Sequence, residues 1–82
     1  MRKHYLKTVQ PFFDSIKCGE KTFELRSTID RSFSVGDRVV LQEYVKKTEE
    51  YTSQEIEVEI TYVLSHRVGL DDNYCIFSFV KI

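Results

Sequence analysis

Apolar residues fall at every other position in the second half of the chain, where Ile56, Val58, Ile60, Tyr62 and Leu64 alternate with Glu55, Glu57, Glu59 and Thr61. A period of two sends successive side chains to opposite faces, so this run predicts a long strand with one buried and one wet face. Three shorter runs share the habit. His4 to Lys7 predicts an initial strand, Thr22 to Arg26 a strand with Phe23 and Leu25 turned inward, and Arg38 to Tyr44 a β-branched strand. Tyr74 to Ile82 is apolar at Ile76, Phe77, Phe79 and Val80, which predicts a last strand buried on both faces.

Between the first two strands, Thr8 to Gly19 follows a helical pattern. Phe12, Phe13 and Ile16 supply its apolar face, Pro11 suits the first turn, Asp14 lies near the positive end and Gly19 suits a left-handed stop. The helix, about Pro11 to Cys18, is short and depends on its tertiary setting. Ser34-Val35-Gly36-Asp37 marks a turn, Lys46 to Ser53 a hairpin connection and Gly69 to Asn73 a further break. One short helix followed by strands predicts a mainly β (α+β) fold, a small barrel or half-barrel capped by the helix. A ferredoxin-like sandwich would need a second helix. The expected core is Phe13, Ile16, Phe23, Leu25, Val39, Leu41, Ile56, Val58, Ile60 and Phe77.

At 82 residues, with 41% hydrophobic and 30% charged, the chain has the balance of one folded domain rather than of disorder. No apolar run approaches the roughly 18 residues needed to span a bilayer, and Met1-Arg2-Lys3-His4 leads into no signal-like segment. The expectation is a cytoplasmic protein with no membrane association. Cys18 and Cys75 lie far apart, and with His4 and His66 they offer no ligand-pair spacing, so reduced thiols and no metal or cofactor are expected.

Net charge is −1, yet residues 1 to 40 hold eight Lys or Arg against five acids, and residues 41 to 82 four against eight. A local basic surface is compatible with that split. The pI near 6.1 makes binding by unspecific phosphate attraction weak, so affinity for nucleic acid requires a shaped site.

The densest charge lies in Gly19-Glu20-Lys21-Thr22-Phe23-Glu24-Leu25-Arg26. In a strand, Glu24 and Arg26 project from the same face about 6.6 Å apart, with Lys21 just ahead of them. Such a trio could bind phosphate, orient a base edge or transfer a proton. It is equally readable as a surface ion pair worth under about 1 kcal/mol. The alternating glutamates are a solvated face, a guarded edge or a protein-binding surface.

Gly19, Lys21, Glu24 and Arg26 match the Gly-x-Lys-x-x-Glu-x-Arg signature of the ASCH domain, a branch of the PUA-like superfamily. His4-Tyr5-Leu6-Lys7-Thr8, the helix from Pro11, Val35-Gly36-Asp37 and Leu41-Gln42-Glu43-Tyr44 resemble small single-domain bacterial and phage members. The resemblance implies a PUA-like β-barrel whose cleft, between helix and barrel, takes RNA or a nucleotide. Lys21, Glu24 and Arg26 would line that cleft, with Lys7 and His4 reaching it from the first strand and Glu43 or Tyr44 closing its far side. Some relatives are amidohydrolases acting on an acetylated cytidine nucleoside through Lys-x-x-Thr. Here Glu24 stands where that hydroxyl would be, so binding is the expected function, with a nucleoside hydrolase or a protein-interaction module as alternatives.

Overall fold

The computed structural model describes residues 1–82 as five strands and one helix. Strand β1 (Lys3–Val9) runs straight into helix α1 (Gln10–Lys17), followed by β2 (Phe23–Ser27), β3 (Arg38–Val45), β4 (Glu50–Leu64) and β5 (Tyr74–Lys81). They form one sheet in the order β1-β3-β4-β5-β2, antiparallel throughout except for β1 against β3. The sheet curls into a half-barrel, so its two edge strands, β1 and β2, face each other across a seam.

Alternation explains most of the core. Leu6 pairs with Leu41, and Val39 with Val58, all turned into the barrel, where Ile60, Phe77 and Phe79 join them. Ile16 of α1 and Phe33, from the loop after β2, complete that core. As expected, β4 is the longest strand, and Ile56 lies partly buried against the core. The connection between β3 and β4 is shorter than the pattern predicts, because pairing resumes at Glu50.

Three expectations are corrected. Phe23 and Leu25 point outward, 48% and 55% exposed, while Glu24 is buried. The whole of β2 therefore has the opposite facing, set by its ladder, in which Glu24 opposes inward Phe77. On α1, Phe13 and Ile16 share the buried face and leave Phe12 outside. On β5, only Cys75, Phe77 and Phe79 are buried, and Val80 is exposed because nothing covers the outer face of the sheet there.

The ends of α1 also differ in part. Gly19 takes a φ of +90° beyond the helix, and its N–H donates to the Ile16 carbonyl at 3.1 Å, the expected left-handed stop. Asp14 falls outside the first turn, because β1 keeps Thr8 and Val9 and the helix starts at Gln10. The glutamate row is answered from neighbouring strands: Glu57 meets Lys3 and Arg38, Glu59 meets Arg38 and Glu55 accepts from Gln42. No helix is long and apolar enough to cross a membrane.

Candidate functional site: a charged groove at the barrel seam

Where β1 and β2 face each other below α1, the surface opens into a groove of about 580 Å³. Its polar floor starts from the reversed facing of β2, which puts Glu24 and Arg26 on the inner side of the sheet beside Thr8 of β1. The Glu24 carboxylate is nearly shut off from solvent and would be costly to bury alone. Two cations answer it. Arg26 donates to Oε1 through Nη2 at 2.8 Å and Nε at 3.0 Å, and the Lys21 ammonium donates to Oε2.

Both carboxylate oxygens are thereby engaged, and Glu24 acts as an anchor holding two cations in place. Each cation still has donors to offer. Lys21 keeps further N–H donors, whereas Arg26 spends Nε and Nη2 on Glu24, the Lys7 carbonyl at 2.9 Å and the Thr8 hydroxyl at 3.4 Å and keeps Nη1 free. Formal charge in this trio is +1, set between the apolar walls Val9, Phe12, Phe23 and Leu25. The two Phe rings flank one ammonium: Lys21 Nζ lies 5.0 Å from the Phe12 centroid and 5.1 Å from the Phe23 centroid.

The structure thus brings Lys21, Glu24 and Arg26 together, with Gly19 turning the chain from α1 toward them. Lys7 reaches the groove, although its ammonium turns away to sit 4.4 Å over the Tyr44 ring. Tyr44 packs edge-on against Tyr51 and does not line the groove. Glu43 is buried inside the sheet, accepting a 2.5 Å hydrogen bond from the Thr52 hydroxyl, and likewise stays out of it.

His4 is not brought to the groove. It is buried, with Nε2 donating to Asp37 Oδ2 at 2.9 Å and its ring 4.7 Å from Phe33. Strand direction is the cause: His4 and Thr8 share a face of β1, but four residues of strand, about 13 Å, separate them. Sequence reasoning missed Thr8, Val9, Phe12, Phe23 and Leu25. A signal existed for Phe12, since a helix this short cannot bury two adjacent Phe side chains in one stripe. No three His, Cys, Asp or Glu side chains gather in a metal-holding group. Cys18 is exposed, and Cys75 is buried, which pushes its thiol pKa up.

The fold and groove define a small half-barrel β domain with a charged, aromatic-walled cleft at its seam. Residues 3–79 match the family described as a domain of unknown function, DUF3850, and the chain belongs to that family. No curated protein matches it.

Proposed function

We propose that the chain is an ASCH-like domain of PUA type and that its seam groove binds RNA or a nucleotide. The observation carrying this reading is the pair of cations, Lys21 and Arg26, oriented by a buried carboxylate on the floor of a groove with aromatic walls. Cations with spare donors suit phosphate, and a groove of this size lies in the range used for small-molecule recognition. Nucleoside hydrolysis has less support. Glu24 carries no hydroxyl, and both of its oxygens already accept hydrogen bonds.

Fluorescence-anisotropy titrations of short RNAs and nucleotides at several salt concentrations test the proposal. Log affinity for a single strand should fall linearly with log salt, by about 0.7 per phosphate contact. Lys21→Ala should weaken binding by roughly 1–3 kcal/mol and flatten the slope, while Arg26→Lys, which keeps charge but loses the fork, should weaken it with less change of slope. Parent protein that binds neither RNA nor nucleotide, or folded variants that bind like the parent, would remove the assignment.

A further inference from the structure

We infer that the groove holds one unpaired nucleobase against the Phe12 and Phe23 rings, which makes its ligand a single-stranded nucleic acid segment or a free nucleotide rather than a duplex. The inference rests on the proposed binding function and specifies what part of the ligand is recognised.

Phe12 and Phe23 come from different elements, one from α1 and one from the first position of β2, and both are about half exposed, 54% and 48%. In a domain with a single small core, two large aromatic side chains left out of it and converging on one groove are available for contact with a ligand. The Lys21 ammonium, anchored by Glu24, lies 5.0 Å from one ring centroid and 5.1 Å from the other, so a base stacked on either ring has a fixed cation beside it for its phosphate. Stacking on aromatic faces is how unpaired bases are commonly gripped, and it is open to any base because each has a π face.

Beside the rings lies a reading edge. Phe79 N–H donates to the Thr22 carbonyl and Thr28 N–H to the Asn73 carbonyl. The alternation of an antiparallel ladder then turns the N–H and C=O of Glu24 and Arg26 toward β5, and those of Phe23 and Leu25 toward the groove. Each of these two residues offers one donor and one acceptor side by side, the complement of a nucleobase edge. Charge argues against a duplex, because the groove gathers only three cationic side chains, Lys7, Lys21 and Arg26, and one of them, Lys7, turns its ammonium to Tyr44, too few to follow two phosphate backbones.

The test titrates one labelled eight-nucleotide RNA, its DNA counterpart, a version abasic at every position, a blunt duplex and a mononucleotide. Parent protein should bind the single strands or the mononucleotide and bind the abasic strand and the duplex at least about tenfold more weakly. Phe12→Leu and Phe23→Leu, folded by thermal melt, should each lose roughly 5- to 150-fold in affinity without changing the salt slope. The chain has no Trp, so Phe23→Trp supplies a single emission reporter, which should retain binding and be quenched as the base stacks. Equal binding of the abasic strand or the duplex, or Phe→Leu variants that bind like the parent while Lys21→Ala does not, would overturn base stacking and leave the binding function standing. No binding of any of these ligands at low salt would overturn both.

Discussion

Asp37 shows how much one buried side chain carries in so small a protein. Its Oδ1 accepts from the Arg2 N–H at 3.0 Å, and its Oδ2 accepts from His4 at 2.9 Å and the Ser34 N–H at 3.1 Å, so one carboxylate ties the start of β1 to the turn before β3. Burial pushes its pKa up, but the His4 hydrogen bond and the two backbone donors outweigh burial and hold it below the ordinary 3.8. With the folded pKa lowered, Asp37 stabilises the fold fully above the unfolded value, and that contribution is lost as pH falls through the folded value. Asp37→Asn should therefore cost roughly 1.5–3 kcal/mol at neutral pH and flatten the acid limb of stability below about pH 4. Urea melts from pH 2 to 7 check this; an unchanged acid limb would assign the acid sensitivity to other groups.

At the scale of elements, the N-terminal part of β4 departs most from a regular strand. Gln42 pairs with Glu55 and Tyr44 with Tyr51, so β4 spends two extra residues opposite Glu43, and Ser53 sits at a φ of +76°. Such a bulge re-aims side chains. Here it brings the Thr52 hydroxyl onto buried Glu43 while the same oxygen accepts the Gln54 N–H at 3.3 Å. Glu43 makes no salt bridge, so Thr52 is its single side-chain partner. Thr52→Val, nearly equal in volume, should lose about 1.5–3 kcal/mol, and the double variant Thr52→Val/Glu43→Leu should recover part of it. Chemical denaturation reads both. A Thr52→Val loss under about 0.5 kcal/mol would mean that the carboxylate draws its support from water instead.

Across the whole molecule, the seam decides how the half-barrel is closed. β1 and β2 share no ladder, and the bond between them is the Arg26 side chain, running from Glu24 to the Lys7 carbonyl. A backbone acceptor on a free edge is satisfied this way, and the edges are kept from pairing with other chains. Arg26→Met keeps the apolar stem but removes the bridge. It should destabilise the protein by roughly 1–3 kcal/mol and speed hydrogen exchange at β1 and β2 more than at β3 and β4. Uniform acceleration across all five strands would show that Arg26 supports global stability with no special part in the seam.

What was legible in the chain is what local periodicity encodes. The alternation of Ile56 to Leu64 determined the longest strand, and Pro11 and Gly19 bracketed a short helix because their backbone preferences act within one turn. The Lys21, Glu24 and Arg26 cluster was legible too, since residues so close in sequence cannot lie far apart. Facing was not. Phe23-Glu24-Leu25 alternates equally well in either direction, and only the ladder with β5, together with Arg26 and Lys21 neutralising a buried carboxylate, turned Glu24 in and the two apolar residues out. His4 and Phe12 changed places for the same reason: a core is chosen by which side chains meet across the closed sheet, and that depends on contacts 33 residues apart, as between His4 and Asp37, which no local pattern records.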